Sequence, residues 1–526
     1  MGQMDRRAFL RGAVATTGGV LVSGSLQTML AGAVHAAPPG TTLAAVADLR
    51  DNKVRLNLPP GFSYRSFHDT DGPAVILGDG STLTGRHDGM CAFPGPDGNV
   101  WLVRNHEQNF SAINGAIGKV NGTWALTPFD SSALGGTTTV LVTPFGEVLD
   151  SWVSCNGTQM NCAGGGMPWG AWITCEETIN GPDVFDDFNR NIPTPSPPTT
   201  YIQNARLTKP HGFIFEVPAD GTSTNTPIMH AGRFAHEAAA YSPNEGYVYL
   251  TEDNFGFSSH LYRYLPPSNP MEVGHLEDGG TLQALKVVGV HREHLEAAQV
   301  AGAAYSVEWV TIDNPFPPGP GGTFPMSGGT PNLPTTINDV AINWVGDQAR
   351  TKGAARFSRL EGAKWTRNEI YFTSTQGGGA SMGNVEQDDV AGYGKGTGQV
   401  WSYNPKTSVL TCRFQATGAD QLDLPDNITA KSDRGTIVLC EDGPTLAPAV
   451  PLDQHTNYIR GLTREGELFD IALNRLRRNA SPFAVRYNEE FAGATFGPGT
   501  DTLYVNIQAS QAITFAIWGP WGRLGV

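Results

Sequence analysis

Six short runs end alike, with polar or acidic side chains after an apolar stretch. They are VWLVRNHE at 100–107, AWITCEET at 171–178, VYLTEDN at 248–254, IYFTSTQ at 370–376, IVLCEDG at 437–443 and LYVNIQ at 503–508. Four of them carry a carboxylate within their last three residues, and one sets Cys175 directly against Glu176 and Glu177. Carboxylates gathered in one place repel each other and take up protons unless cations neutralise them. Oxygen ligands of this kind, with amides such as Asn105, Asn254 and Asn427, suit calcium. A thiolate is a softer donor that selects a transition metal, so Cys175 is expected to link the calcium set to such a metal.

For these side chains to meet, each run must be placed by a repeated element. A turn precedes most of the runs, as in PDGN at 96–99, PNEG at 243–246 and GPGTD at 497–501. Before the turn lies another apolar stretch, opening at His87-Asp88, His236-Glu237, Glu361-Gly362, Asp426-Asn427 or Ala492-Gly493. Each unit reads as a β-hairpin, in which the start of the first strand lies beside the end of the second. That brings Asp88 near Glu107, Glu237 near Glu252 and Asp253, and Asp426 with Asn427 near Glu441 and Asp442.

The anchors Trp101, Trp172, Tyr249, Tyr371, Val438 and Tyr504 recur at roughly 70-residue intervals, one interval being nearly twice as long. Six hairpins with room for two more strands each predict an all-β fold, a six-bladed β-propeller with inserted loops and the acids at one mouth of its channel. A β-sandwich pair is the competing all-β arrangement. The long interval contains an insertion at 314–336, rich in Pro and Gly.

A single acid at a strand end is ordinarily a solvated turn residue. Recurrence at one register singles out Glu176, Glu237 and Glu361 as expected metal ligands, with Glu107, Asp426, Asn427 and Glu441 completing the set. Cys440, at the matching register, reads as a buried core thiol. Arg359 shares a strand face with Glu361 and is either a counter-ion to the acids or a clamp for an anionic substrate.

Asp5-Arg6-Arg7-Ala8-Phe9-Leu10 reads as a twin-arginine export signal ending near Val34-His35-Ala36, so residues 1–36 are expected to be a leader and 37–526 one propeller domain. The twin-arginine translocase is then the export partner and the mature chain periplasmic or secreted. The leader is too interrupted by Gly, Ser and Thr for a stable membrane anchor. A formal charge of −15 excludes nucleic acid as a partner. Six cysteines are too few for a disulfide scaffold, although Cys155 with Cys162, or Cys412 with Cys440, remain open as pairs.

GAWITCEET, GRFAHEAAAYSPNEGYVYLTEDN, RLEG and PDNITAKSDRGTIVLCEDG, in this order behind a twin-arginine signal, resemble the PhoX family of bacterial alkaline phosphatases from about Leu56 to the C-terminus. The resemblance implies a six-bladed propeller and hydrolysis of phosphate monoesters at an oxo-bridged cluster of ferric iron and calcium. It matches Cys175 and Glu176 to the family's Cys-Glu iron site, Glu237 to its His-Glu motif, and Arg359 with Glu361 to its Arg-x-Glu element. Arg359 would there act on the phosphoryl oxygens of a small phosphate-ester substrate. The chain departs from the family's Arg-Pro-Glu-Trp form at Leu360 and Gly362. Two further readings stand beside this one: a calcium-dependent propeller hydrolase of the lactonase or phosphotriesterase type, and a non-catalytic cell-envelope binding propeller.

Overall fold

The computed structural model describes residues 42–109, 115–182, 184, 207–254, 257–316, 342–381, 394–432, 435–443 and 456–526. The leader and most of the 314–336 insertion lie outside these residues. Every run singled out above is the second strand of an antiparallel hairpin, and most of their residues are buried. These second strands are rich in Val, Ile, Leu, Tyr and Trp, which pack well on a pleated sheet covered on both faces.

The first strands are His87–Pro94, Asn161–Met167, His236–Ser242, Leu360–Thr366, Pro425–Ala430 and Glu490–Phe496. They pack beside one another in that order, and the last returns to the first. Several are poor in strand formers, as in NCAGGGM, because neighbouring backbones approach closely. A Cβ on Gly89 would stand 2.5 Å from the Ala163 Cα, and one on Gly362 2.7 Å from the Asp426 carbonyl oxygen. Only glycine fits at either place.

The arrangement is all-β and propeller-like, but the sheets are not six separate four-stranded blades. Among the described residues two have four strands, one has three, one six and one nine, and a two-stranded ribbon stands apart. The nine-stranded sheet arises because Ala304–Thr311 pairs with both Thr281–Val287 and Val409–Gln415, fusing two hairpin systems and leaving His236–Ser242 and Leu360–Thr366 at its two edges. The six-stranded sheet is enlarged by Ala44–Ala47 and Val54–Leu58, which extend the strands that begin at Pro425–Ala430. No helix among the described residues is long and apolar enough to cross a membrane.

Ser63–Phe67 pairs with Ile513–Trp518, so a strand from the start of the described chain completes the C-terminal sheet. Its Tyr64 is fully buried in the apolar cluster with Phe491, Val505 and Phe515, and its hydroxyl accepts a 2.8 Å hydrogen bond from the Arg55 amide. Tyr64→Ala is expected to cost about 3–5 kcal/mol of stability, through the cavity and the lost acceptor together. A shift of the urea midpoint at unchanged slope is the readout.

All six cysteines are free thiols, so neither of the pairings left open by the sequence forms. Cys155 lies in an apolar cluster with Trp172 and Val217, whereas Cys162 packs in the separate cluster that contains Cys175.

Candidate metal centre

The acids at the starts of the first strands owe their aim to a repeated irregularity. In the Glu237 strand, His236 pairs with Glu252 and Ala239 with Leu250, so Glu237 and Ala238 together face Thr251 alone. This is a β-bulge, which re-aims side chains and recurs beside functional sites. The same two-for-one register puts Asp88 and Gly89 opposite Asn105, and Cys162 and Ala163 opposite Cys175. It sets Glu361 and Gly362 opposite Thr373, and Asp426 and Asn427 opposite Cys440. The sixth strand has Gly493 and Ala494 opposite Val505. Five of the six bulges therefore open on Asp, Glu or Cys.

Four of the six bulges are pinned at a carbonyl by a neighbouring hairpin. Asn506 donates to the Asp88 carbonyl at 2.6 Å, Asn105 to the Cys162 carbonyl at 2.8 Å, Thr251 to the Glu361 carbonyl at 2.6 Å and Thr373 to the Asp426 carbonyl at 2.8 Å. The carbonyls that a bulge removes from its own ladder thus find partners in the next hairpin.

Two overlapping groups of donors result. Cys162, Glu177 and Glu237 offer ligand atoms within 4.8 Å of one another, and so do Glu237, Glu361 and Asp426. Glu237 belongs to both. Its Oε2 is buried without a hydrogen-bond partner, an arrangement tolerated when a cation takes the lone pairs. Burial, then the neighbouring Asp426 and Glu177, push the Glu237 carboxyl well above its ordinary range. Burial and then Asp253 do the same to Glu361, although Arg359 opposes them. Burial, with Glu237 and Glu177 beside it, raises the Cys162 thiol in the same way. A buried thiol among acids that cannot all ionise by themselves is a donor set that fits several cations, including a soft one.

Of the residues expected from sequence, Glu237, Glu361 and Asp426 are brought together. Asn427 adjoins them, donating at 2.5 Å to Asp426 Oδ1 and accepting from the Gly493 amide. Glu107 lies with Asp88 around the Gln508 amide, which donates to both, and 3.5 Å from Arg86. Glu441 is used elsewhere: Arg460 and the Asp423 and Tyr458 amides take its oxygens, at 2.8, 3.1 and 3.1 Å. Arg359 donates to Asp253 through Nε at 2.8 Å and Nη2 at 2.6 Å, and to Glu361 at 3.0 Å.

Cys175 and Glu176 stand apart from both groups. Alternation along Ala171–Glu176 sends Ala171, Ile173 and Cys175 into the apolar core. The Glu176 carboxylate is saturated: Oε1 accepts from the Gln159 amide at 2.9 Å and His211 Nδ1 at 2.5 Å, and Oε2 from the Gly212 and Phe213 amides at 2.8 and 3.1 Å. The thiol beside the acids is Cys162 on the partner strand, and the carboxylate is Glu177, one residue past the strand end. The signal available in the sequence was NCAGGG itself, a cysteine leading a run of small residues that a close-packed inner strand requires.

His211 is buried between Glu176 and Asp130, with Nε2 3.5 Å from Asp130 Oδ2. Burial works against its charge, but the two carboxylates outweigh it and raise its pKa to about 9. A group raised on folding stabilises fully below its unfolded pKa, near 6.5, and loses that contribution as pH rises through the folded value. The melting temperature is accordingly expected to fall between pH 6.5 and 9.5, and His211→Gln to flatten that segment of the profile. A flat wild-type profile would contradict the buried ion triad.

The alkaline phosphatase PhoX profile matches residues 136–511, which is most of the chain and includes all the donors of both groups. The chain belongs to the PhoX alkaline phosphatase family. It is therefore a hydrolase of the phosphatase type, in a family of metal-dependent phosphatases. Among solved structures, Pseudomonas fluorescens PhoX in complex with vanadate, a transition state analogue, superposes with a TM-score of 0.60 at 16% identity, over 92% of this chain and 98% of that one. That likeness is one of fold. The gluconolactonase XC5397 from Xanthomonas campestris superposes at a TM-score of 0.34 and 10% identity, over 85% of this chain and 98% of that one, too slight to bear on function. No curated protein matches the chain in sequence.

Proposed function

We propose that this PhoX-family chain is an exported phosphomonoesterase acting at a mixed iron and calcium centre held by Cys162, Glu177, Glu237, Glu361 and Asp426. The observation that carries the proposal is the shared Glu237, buried between a thiol-containing and an all-carboxylate group of donors. In this reading the six bulged first strands are the inner strands of six blades, and the cluster sits in the channel they enclose. The Cys162 thiolate takes ferric iron and the carboxylates hold calcium. When bound, the cations supply Lewis acidity toward a phosphoryl group and a nucleophile at neutral to alkaline pH.

The protein's own part is positional. Glu237 joins the two groups of donors, so their spacing is fixed by one side chain. Asp253 grips Arg359 by two nitrogens and so orients its guanidinium beside Glu361, at the edge of the cluster. There Arg359 is placed to stabilise charge on the equatorial oxygens of a phosphate ester. The use of vanadate as a transition state analogue by the Pseudomonas fluorescens protein is in keeping with such a site. Export through the twin-arginine translocase, to the periplasm or beyond, would carry the chain across folded and loaded.

Elemental analysis of protein purified without chelators from a host with twin-arginine export, combined with hydrolysis of p-nitrophenyl phosphate, tests the proposal. Iron with calcium and hydrolysis are expected, and a chelator is expected to lower the melting temperature. Calcium alone, with lactone or triester cleavage, would replace the proposal with a calcium-dependent hydrolase. A folded protein with neither metal nor turnover would leave a binding propeller.

A further inference from the structure

The same inner strands that present the acids also wall a cavity of about 440 Å³. Its lining begins one residue after each bulge residue, at Gly89, Ala163, Ala238, Gly362 and Asn427, so it lies back to back with the donor cluster. A second space of about 340 Å³ shares Cys91, Lys364, Thr429 and Thr495 with it and continues to the loop at 497–500. The two volumes are in the range of small-molecule sites.

Their chemistry is opposite to that of the cluster. Among the described residues no carboxylate lines either space, in a chain whose net charge is −15. Lys364 lines both, and its ammonium makes no hydrogen bond or ion pair with another described residue, while its neighbour Lys431 is already held by Asp501. A half-buried ammonium without a partner among apolar walls is costly unless an anion or water meets it. Most of the remaining wall of the first space is apolar, with Met90, Phe93, Met167, Ile428 and Trp365 in it, and Tyr241, Asn427, Thr429 and Thr495 add polar atoms. A phosphate ion would satisfy the ammonium and leave these walls wet, whereas a neutral lipid would cover the walls and leave the ammonium bare. An amphipathic anion does both.

We propose that the channel behind the donor cluster binds an amphipathic organic monoanion, its anionic head on Lys364 and its apolar body along Met90, Phe93, Met167 and Trp365. This site stands on the Lys364 cavity alone and does not depend on the metals or the reaction proposed above.

Isothermal titration of the full metal-replete protein with octanoate, octanol and inorganic phosphate tests it. Octanoate is expected to bind with one site per chain and a Kd below about 1 mM, octanol at least tenfold more weakly, and phosphate just sufficient to fill the metal centre to leave octanoate binding unchanged. Lys364→Met is expected to weaken octanoate at least tenfold with an unaltered melting temperature, and Lys364→Arg to retain most of the affinity. Octanol binding equal to octanoate would overturn the proposal by removing the role of the ammonium. Displacement of octanoate by that limited amount of phosphate would overturn it by placing the carboxylate at the metal centre. Absence of octanoate binding, or full binding by Lys364→Met, would overturn it as well.

Discussion

Glu237→Gln is expected to abolish phosphatase turnover and, in the metal-free protein, to raise stability. Loss of residues that merely orient metal ligands costs about 10–100-fold in affinity or activity. Glu237 belongs to both donor groups, so its replacement is expected to exceed that range and to lower the content of both metals. The stability effect follows from sign. Burial and the neighbouring acids hold its folded pKa above the unfolded value. Its contribution to stability is thus present only below about pH 4.3 and lost as pH rises through the folded value. Glutamine has no proton to lose, so the metal-free variant at pH 8 is expected to be more stable than metal-free wild type, by about 1–4 kcal/mol on the precedent of buried ions exchanged for neutral residues. The two melting curves cross when metal is added, because only the wild type gains from binding. A metal-free variant less stable than metal-free wild type would show that Glu237 is a structural carboxylate rather than a ligand.

Cys162→Ser and Cys175→Ser are expected to part company, although both replace a buried sulfur with an oxygen on paired strands. At Cys162 the change exchanges a soft ligand for a weak hard one, so iron content and turnover should both collapse while calcium is partly kept. At Cys175 the change places a hydroxyl in an apolar cluster with Ile173, Ile214 and Leu250, at a cost of about 1–3 kcal/mol in stability, with iron and turnover retained. Metal analysis and p-nitrophenyl phosphate hydrolysis on the two variants decide between the two thiols. Retention of iron by Cys162→Ser with loss in Cys175→Ser would restore the assignment implied by the family resemblance.

What the sequence showed well and badly has a physical pattern. The second strands were legible because Val, Ile, Leu, Tyr and Trp recur in them and turn residues precede them. The first strands were harder, since Asn161–Met167 is almost all small residues and carries no strand propensity of its own. Which side chain joins the donor groups was harder still. Alternation along a strand has period two, so the register of one bulge decides whether Cys162 or Cys175, Glu176 or Glu177, points at the acids. No composition signal marks a bulge. The fused nine-stranded sheet was equally hidden, because Ala304–Thr311 reads as one more outer strand and nothing in AYSVEWVT states that both of its edges are paired.

The hand-to-hand pinning of the bulges has a mechanical consequence. Asn506, Asn105, Thr251 and Thr373 each hold the backbone of a bulge that lies in another hairpin, so the Asp88, Cys162, Glu361 and Asp426 bulges are each tied to the hairpin beside them. The four contacts join the hairpins of Glu490–Phe496, His87–Pro94 and Asn161–Met167 into one arc and those of His236–Ser242, Leu360–Thr366 and Pro425–Ala430 into another, so a donor moves only with its arc. Loops beyond the hairpins make none of these four contacts, so their length and chemistry can vary without touching the backbone that aims the donors.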